Sequence, residues 1–397
     1  MKLLITPIAI PVGESHGGAS RARALAIEAR TRGHEVAFCA AEDDPNYSPV
    51  EGVANYGGPL PMVFGLPPWV GRMVTRLVQL LGVQQRMAAR VRSFEQALSL
   101  LGATNRRFFS RDVEVVRQAI RAFQPNVVIT EHRISAIVAA RLEGVAVAAD
   151  YSYPLQPSFA CSPKHGAGVR AYLHENSLPA VHSVLELFDW ADIKFVASSY
   201  ELEPIDGANV IHVGPLQPAA PPASASEPRD RIIAYVGTGV ISPRRLLHVL
   251  TDAFDGTPFQ VYLASQQLAP LHRGRLHVQP YFDFDALLPG AVVSIHHGGQ
   301  NSVMKGLMHG VPQLIVPGRH FERSYNADSV VRLQAGVKLE PDQFTPERVK
   351  SWVNRFASDP AYRKNALAAG QSLLKLGGAA AVVTALEHRF MRPNKAL

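Results

Sequence analysis

The stretch HHGGQNSVMKGLMHGVPQLIVP, residues 296–317, predicts the architecture of the second half of the chain. It continues an apolar run of strand length, AVVSIHH (291–297), through two glycines into helical spacing, and it ends in a second apolar run, PQLIVP (312–317). Gly310 ends the helix and Pro312 starts the next strand. A strand, a turn, a helix and a strand in this order are typical of an α/β protein with a parallel, doubly wound sheet.

The turn in this stretch has the residues of an anion-binding site. Gly298 and Gly299 let a bulky anion approach the backbone closely. Asn301 and Ser302 present amide and hydroxyl groups at the start of the helix, where free N–H groups attract phosphate. His297 can donate to a phosphate oxygen. The alternative is a plain strand–helix turn with glycine for tightness, but the histidine pair and the Asn-Ser cap favour a diphosphate site.

A second glycine turn, VGTG (236–239), directly follows the strand that opens the second half. Gly237 and Thr238 can bring backbone and hydroxyl donors to the same phosphates, although glycine after a strand is also common where nothing binds. The turn lacks the GxxxxGKS/T spacing of a Walker loop, and neither half begins with the GxGxxG fingerprint of dinucleotide-binding domains.

The loop GRHFERSYNA (318–327) follows the strand PQLIVP and places two charges at its carboxyl end. Glu322 can accept hydrogen bonds from ligand hydroxyls, and Arg323 can bind a phosphate or a carboxylate. The alternative is a surface ion pair that opens a helix, and the sequence leaves both interpretations open.

The first half of the chain shows the same alternation of strands and helices. An apolar run over 2–10, a glycine-rich turn, helical spacing over 19–32 and the strand HEVAFCA open another parallel sheet. Residues 69–123 look mostly helical, and a further helix is predicted over 181–192. The segment GPLQPAAPPASASEPRD (214–230) has the composition of a linker, so the chain consists of two α/β halves joined there.

Composition excludes several classes of protein. With 397 residues, 47% hydrophobic and 18% charged, the chain has apolar material for two or three domains and is not a disordered chain, a collagen or a disulfide scaffold. Cys39 and Cys161 cannot form a disulfide framework or a four-ligand zinc site, and we expect both to be reduced in a cytoplasmic protein. The N-terminus lacks a signal-peptide cleavage site, and no apolar stretch reaches the ~18 residues of a membrane span.

The net charge of +7 comes from 40 basic and 33 acidic residues. It either keeps an arginine-rich surface soluble or attracts anionic ligands or membrane surfaces. No basic run is interleaved with aromatic residues, so we expect no nucleic-acid partner.

The chain resembles the UDP-glycosyltransferase family, which includes bacterial natural-product glycosyltransferases. The resemblance lies in HHGGQNS, in GVPQLIVP, in the Asn326-Ala327 pair, and in a proline-rich segment before a strand–VGTG opening. It covers nearly the whole chain and is most specific over 231–340. It implies the GT-B fold, with two facing, doubly wound, Rossmann-like domains of parallel sheets. It also implies an inverting, metal-independent transfer of a sugar from a nucleotide-diphosphate donor, with dTDP or UDP, to an acceptor hydroxyl.

The resemblance assigns roles on the donor side. The residues of the diphosphate motif correspond to His297, Gly299, Asn301 and Ser302, beside Gly298. Tyr281 and Phe282 resemble the part that packs on the nucleobase. Glu322 and Arg323 stand where the family has the Asp-Gln pair that contacts sugar hydroxyls. Lys305 stands where plant members have a ribose-binding glutamate. The replacement of the Asp-Gln pair and the replacement of this glutamate both bear on the identity of the donor.

The resemblance also assigns a general base. The family has a histidine in the loop after the first strand, oriented by an acidic residue after a later strand. His16 lies in that loop, and Glu131 ends the strand VVIT, where the family usually has aspartate. A carboxylate on one ring nitrogen fixes the tautomer and stabilises the imidazolium that forms. His16 stands two residues before the usual register, which Gly18 occupies, and His132 is the local alternative to Glu131.

The resemblance divides the chain into four parts. Residues 1–213 form the acceptor-binding domain with the base, 214–230 the linker, 231–376 the donor-binding domain, and 377–397 a tail helix that crosses back to the first domain. The acceptor is a hydrophobic, natural-product-like small molecule, and no cofactor or metal is required. Nothing in the sequence speaks to oligomeric state.

Other functions compete with this one. GESHG (13–17) matches the nucleophile elbow of α/β-hydrolases, with Ser15 as nucleophile, but only one strand and no oxyanion loop precede it. Metal catalysis has little support, because His296 and His297 are adjacent on a strand and point to opposite faces. A non-catalytic nucleotide-sugar-binding protein, a sugar-nucleotide epimerase and a membrane-associated lipid glycosyltransferase, which the positive charge favours, remain alternatives.

Overall fold

The structure is a computed structural model. It describes residues 1–10, 16–44, 46–47, 49–67, 69–71, 73–74, 77, 91–216, 229–237 and 239–391, without the side chains of residues 16 and 64. Several features of the sequence analysis therefore lie outside the described residues: Ser15, the His16 side chain, Thr238, most of the linker and the end of the tail.

The chain forms two compact units. Unit 1 consists of Met1–Leu81, Arg92–Pro218 and Leu376–Leu397, and unit 2 consists of Gly82–Val91 and Ala219–Lys375. The chain passes from unit 1 to unit 2 after Pro218, which lies inside the segment 214–230. Val91 falls within the predicted first domain but belongs to unit 2, where its carbonyl oxygen accepts a hydrogen bond from the Phe321 N–H at 3.1 Å.

Unit 1 contains a parallel sheet. Its strands are β1 (Lys2–Pro7), β2 (Glu35–Phe38), β3 (Ala54–Asn55), β4 (Val127–Glu131), β5 (Ala146–Tyr151), β6 (Ile193–Val196) and β7 (Val210–His212). They pair in the order β3-β2-β1-β4-β5-β6-β7, and every pairing is parallel. The direction of winding reverses between β1 and β4, and doubly wound sheets bind ligands beyond the carboxyl ends of the strands at such a point.

Helices connect these strands. They are α1 (His16–Thr31), α2 (Phe94–Leu100), α3 (Arg106–Phe123), α4 (Ile134–Glu143) and α5 (Ala167–Glu175). The predicted helical region 69–123 is divided by caps, since Ser93 accepts from the Gln96 N–H to begin α2 and Asn105 begins α3. The helix predicted over 181–192 is wrong in type, because the segment Val184–Trp190 is a 3₁₀ helix.

Unit 2 contains a second sheet. Its strands are β8 (Arg231–Tyr235), β9 (Gln260–Ala264), β10 (Leu271–Arg273), β11 (Leu276–Gln279), β12 (Ala291–His296), β13 (Gln313–Ile315) and β14 (Gly336–Lys338). Their order is β10-β11-β9-β8-β12-β13-β14, and only β10 pairs antiparallel. The predicted α/β class with two doubly wound sheets is confirmed. The strands β3, β7, β10 and β14 were not anticipated, because two or three residues are too few to show a period.

The helices of unit 2 pack on this sheet. They are α6 (Pro243–Phe254), α7 (Phe284–Leu287), α8 (Gln300–Met308), α9 (Phe321–Arg332), α10 (Pro346–Ser358) and α11 (Pro360–Lys375). Leu246 and Leu250 of α6 meet Val349 and Val353 of α10 in one buried cluster with the strands β8, β9 and β12. The core of unit 2 therefore holds β12 rigidly, and the loop that follows β12 starts from a fixed position.

The last helix, α12 (Ala379–Phe390), belongs to unit 1. Gly377 and Gly378, with φ of +88° and +58°, interrupt the helical stretch between α11 and α12. By length and composition the stretch 360–390 is apolar enough to cross a membrane, which the sequence analysis did not anticipate. Val382, Val383 and Leu386 of α12 are nonetheless buried in the core of unit 1, as in a helix of a globular protein.

We expect the burial of α12 to stabilise unit 1. Leu386 is fully buried, so Leu386→Ala should lower the free energy of unfolding by about 2–5 kcal/mol. Leu374→Ala is the matched control, since Leu374 is 40% exposed and its truncation should cost less than about 0.5 kcal/mol. Urea unfolding of both variants measures the difference, and equal losses would contradict this packing.

Candidate functional site

The predicted diphosphate turn lies in unit 2 between β12 and α8. β12 ends at His296 and α8 begins at Gln300, so the turn itself consists of His297, Gly298 and Gly299. Gly298 has a φ of +90°, a conformation that favours glycine. Gly299 is the N-cap residue in extended conformation, and no side chain caps the helix from this position. The amide end of α8 therefore follows directly on the two glycines, and helix N-termini attract anionic ligands.

His296 fixes the shape of the turn. Its Nε2 donates to Gln313 Oε1 at 2.9 Å, and its Nδ1 accepts from the Gly298 N–H at 3.0 Å. Gln313 in turn donates to the Val303 carbonyl at 2.9 Å, and Asn326 donates to the Gly298 carbonyl at 2.9 Å. Burial lowers the pKa of His296 to about 4, so the ring is neutral at pH 7. Its two nitrogens are committed to structure and bind no ligand.

His297 has a different environment from His296. Its buried Nδ1 has no hydrogen-bond partner among the described residues. A Cβ on residue 299 would lie 2.9 Å from its Nε2, so glycine at 299 leaves room for the ring. Burial lowers the pKa of His297 well below its ordinary value, and the charge of Arg323 adds to the effect. The ring is therefore neutral and has one N–H to donate.

The turn VGTG lies against this first turn. Gly237 has a φ of +42°, and a Cβ there would lie 2.8 Å from the Tyr235 hydroxyl. A Cβ on Gly239 would lie 2.8 Å from the Cβ of His297. The structure thus brings both predicted phosphate-binding turns together, with Thr238 outside the described residues.

Glu322 and Arg323 lie at the start of helix α9. This helix packs against the loop of His297, Gly298 and Gly299, since its Asn326 donates to the Gly298 carbonyl. Burial lowers the pKa of His320 to about 3, and the charge of Arg323 adds to it as it does for His297. Burial also lowers the pKa of Arg323, although Glu322 opposes that effect. Arg323 lies beside the turn, since a Cβ on Gly298 would lie 3.4 Å from the Arg323 Cβ. Ligand binding by Glu322 and Arg323 stays a prediction.

The residues expected near the nucleoside differ in their exposure and in their contacts. Tyr281 is 77% exposed, whereas Phe282 packs edge-on against Tyr262, with ring centroids 5.5 Å apart. Lys305 donates to Asp285 Oδ2 at 2.6 Å. An ion pair thus occupies the position at which the resemblance places a ribose-binding glutamate.

In unit 1, Glu131 is buried at the carboxyl end of β4 in a group of four side chains, the Arg21 cluster, with Arg21, His132 and Asp150. Arg21 donates from Nη2 to Glu131 Oε1, and its Nε lies 2.9 Å from Asp150 Oδ2. His132 places Nδ1 3.4 Å from Glu131 Oε1 and Nε2 3.7 Å from Asp150 Oδ2. His132 therefore accompanies Glu131 rather than replacing it.

The two carboxyl groups of the Arg21 cluster differ. Burial by itself raises the pKa of Glu131, but the charges of Arg21 and His132 outweigh burial and hold that pKa below its ordinary value. For Asp150 burial prevails and the pKa is raised. Glu131 is thus ionised at neutral pH, as a carboxylate that orients a histidine has to be.

The first turn of α1 lies on Glu131. His16 begins α1, and two residues later Gly18 faces the carboxylate so closely that a Cβ would lie 2.3 Å from Oε2. The register position of the family's histidine is thus a glycine in contact with the expected acidic residue. The pairing of His16 with Glu131 stays a prediction, because the His16 side chain is outside the described residues.

Glu131, His132 and Asp150 also have ligand atoms within 4.8 Å of one another, a spacing that a metal ion can use. The guanidinium of Arg21 already bridges the two carboxylates and supplies positive charge to them. We therefore interpret the cluster as an ion-pair network.

Arg21, Asp150 and Gln313 were not predicted from the sequence, and Asn326 was noted only as part of the Asn-Ala pair, without a structural role. Asp150 could have been found, because it lies near the end of the strand next to that of Glu131 and parallel strand ends converge. Arg21 stands in a helix with several arginines, and only the packing of that helix distinguishes it. Gln313 and Asn326 act on backbone groups far away in sequence, which no local pattern indicates.

The two sheet topologies and these turns define the class of fold. The chain matches a solved structure of the glycotransferase of kitacinnamycin with a TM-score of 0.73 and 17% identity, over 98% of this chain and 99% of that one. The fold is GT-B, as predicted.

The sequence comparisons then show which proteins part of the chain is similar to. Residues 274–388 match the family model of the erythromycin biosynthesis protein CIII-like C-terminal domain. The chain is 36% identical over 81 residues to 3-alpha-mycarosylerythronolide B desosaminyl transferase of Saccharopolyspora erythraea, covering 20% of this chain and 19% of that protein. It is 34% identical over 86 residues to aclacinomycin-T 2-deoxy-L-fucose transferase of Streptomyces galilaeus, covering 21% and 20%.

The matched stretch spans about a fifth of the length of these two relatives. The family model covers the diphosphate turn, α8 and α9, so the resemblance to bacterial natural-product glycosyltransferases is confirmed in the part of the chain where its motifs lie.

Acid should destabilise the protein through the buried histidines near the turn. The pKa of His296 is about 4 and that of His320 about 3, against 6.5 ordinarily. Below pH 6.5 the unfolded chain binds more protons than the folded one, so stability is complete above that pH and is lost as the pH falls.

His320→Gln should remove its share of this slope, up to about 1.4 kcal/mol per pH unit between pH 6.5 and 4. His248→Gln is the matched control, because the His248 side chain is 73% exposed. Urea unfolding over a pH series measures both slopes, and identical slopes in the two variants would refute the assignment.

Proposed function

We propose that this protein is an inverting, metal-independent glycosyltransferase. It moves a sugar from a dTDP or UDP sugar to a hydroxyl of a hydrophobic, natural-product-like small molecule in the cytoplasm. The observation that carries the proposal is the turn of His297, Gly298 and Gly299 at the amide end of α8. The two relatives named above are sugar transferases, which supports a sugar donor over other diphosphates.

A neighbouring fold supports the thymidine form of the donor. The spinosyn rhamnosyltransferase SpnG, solved with thymidine diphosphate, matches this chain with a TM-score of 0.69 at 16% identity, over 98% of this chain and 100% of that one. The same transferase has also been solved with spinosyn aglycone. A deoxynucleoside diphosphate and an apolar aglycone are therefore the first ligands to test.

The charges of unit 2 suit the departure of a diphosphate. Negative charge develops on the diphosphate as the bond to the sugar breaks, and oriented N–H groups and a guanidinium stabilise it. The amide end of α8 and Arg323 supply these groups here. His297, being neutral, adds a hydrogen bond to a phosphate oxygen. The proposed transfer therefore needs no metal ion to stabilise the leaving group.

The acceptor has to lose a proton as it attacks. In the proposed mechanism His16 takes this proton, and the ionised Glu131 orients the ring and stabilises the imidazolium. The acceptor oxygen attacks the anomeric carbon from the side opposite the diphosphate, so the configuration inverts. The proton ends on His16 and the nucleoside diphosphate leaves toward His297.

Calorimetry with dTDP and UDP tests the donor site. We expect His297→Ala to weaken binding of the preferred nucleotide by about tenfold or more, since a hydrogen bond to a charged group is lost. His248→Ala, an exposed histidine of the same unit, should leave binding unchanged. If neither nucleotide binds the unaltered protein, the diphosphate site does not exist.

Replacing His16 tests the base. His16→Ala should reduce transfer by about 10²–10⁴-fold, the usual contribution of a general base, while dTDP binding persists. His182→Ala is the control, because His182 is an exposed histidine of the same unit. Product formation from dTDP and UDP sugars measures the rates, and undiminished turnover in the His16 variant removes it from this role.

A second candidate is a non-catalytic nucleotide-sugar-binding protein. Its support is Gly18, which lies where the resemblance expects the base and contacts Glu131 directly. Nucleotide binding without turnover of any tested sugar and acceptor would favour this candidate.

A further inference from the structure

The Arg21 cluster joins three elements of unit 1 at the switch point of its sheet. Arg21 comes from α1, Glu131 and His132 from the end of β4, and Asp150 from β5. The exposed fractions of Arg21, Glu131 and Asp150 are 8%, 1% and 3%. Charges buried this deeply are costly unless they are paired, so the arrangement of the cluster is tightly constrained.

The guanidinium of Arg21 contacts both carboxylates through different edges. Nη2 donates to Glu131, while Nε lies 2.9 Å from Asp150 Oδ2. The planar guanidinium can donate a hydrogen bond to Glu131 and form an ion pair with Asp150 at the same time, whereas a lysine ammonium acts as a single point charge. The orientation of the Glu131 carboxylate therefore depends on the shape of Arg21 as well as on its charge.

The other side of Glu131 is closed by the backbone. A Cβ on Gly18 would lie 2.3 Å from Glu131 Oε2, so the first turn of α1 rests on this oxygen. The Ile8 N–H, just after β1, donates to the Glu131 carbonyl oxygen at 2.9 Å. Arg21 lies one turn after Gly18 on the same face of α1. The helix that begins at His16 is thus held to Glu131 at two points.

His132 is poorly placed to accept a proton from a substrate. Both of its ring nitrogens face carboxylates of the cluster, at 3.4 and 3.7 Å. Its Nε2 is buried and has no hydrogen-bond partner among the described residues. Both nitrogens of His132 are therefore directed at the cluster, which favours a different residue as the base.

We propose that Arg21 is a positioning residue for the transfer: by bridging Glu131 and Asp150 it fixes the Glu131 carboxylate against the first turn of α1, where Glu131 orients the His16 imidazole. The proposal rests on the function proposed above. Arg21 touches neither sugar nor acceptor in this role, and it acts through Glu131. Its removal should therefore alter the rate and its pH dependence but not donor binding.

A double-mutant cycle tests this role. The variants are Arg21→Lys, Glu131→Gln and the two combined, each assayed for kcat, donor KM and the pH profile. Arg21→Lys retains a positive charge and lowers the risk of misfolding, and thermal unfolding monitors the fold. Arg23→Lys is the matched control, since Arg23 is an exposed residue of the same helix whose Nη1 donates to the Pro49 carbonyl.

We expect Arg21→Lys to lower kcat about tenfold or more and to leave the donor KM and the dTDP affinity unchanged. A misoriented Glu131 carboxylate slows the chemical step but does not contact the donor. The acid limb of the pH profile should move to lower pH, because a misoriented Glu131 stabilises the protonated form of the base less well. The combined variant should be no slower than Glu131→Gln alone, since the two residues act as one unit.

A folded Arg21→Lys variant with unaltered kcat and pH profile overturns the proposal, and so do effects that multiply in the combined variant. If the unaltered protein transfers no sugar and binds no dTDP in calorimetry, the proposed function itself is wrong. If it binds dTDP and transfers sugar but Arg21→Lys has no effect, only the positioning role of Arg21 is wrong.

Discussion

A relay of hydrogen bonds through two buried polar side chains fixes the turn on which the donor site depends. Gln313 on β13 connects the imidazole of His296 on β12 with the carbonyl of Val303 on α8. His296 then accepts from the N–H of Gly298. Because every polar atom of this relay is satisfied, the low dielectric of the core strengthens it. Strand, turn and helix are held by one network, and the two glycines keep a defined conformation.

The buried ionisable groups of the two units differ in their protonation states. In unit 1 carboxylates are buried and paired with Arg21, so that Glu131 stays ionised. Near the turn of unit 2 the histidines are buried and neutral beside Arg323. Neutral rings do not repel the guanidinium, and they avoid the desolvation cost of additional cations. The positive potential at the turn then comes from Arg323 and the helix end, where a diphosphate would bind.

Much of the architecture could be predicted from the sequence. Long apolar runs mark most strands, because burial on both faces of a parallel sheet requires continuous apolar residues. Gly33, Gly144 and Gly310 mark the ends of α1, α4 and α8. The stretch 296–317 predicts the order of strand, turn, helix and strand that the structure contains, since its residues are contiguous. The place of Arg21 in the Arg21 cluster could not be predicted, because only the packing of α1 on the strand ends brings it to Glu131 and Asp150. The same holds for Gln313, whose partners are a neighbouring strand and a helix.

The sizes of residues 18 and 131 are complementary where Gly18 contacts Glu131. The absence of a side chain at 18 leaves space beside β4, and the extra methylene of glutamate, relative to aspartate, fills it. Neither residue can be enlarged alone without displacing the start of α1. Shortening Glu131 to aspartate while enlarging residue 18 would conserve the total volume. The beginning of α1 can therefore be redesigned only by changing the two residues together.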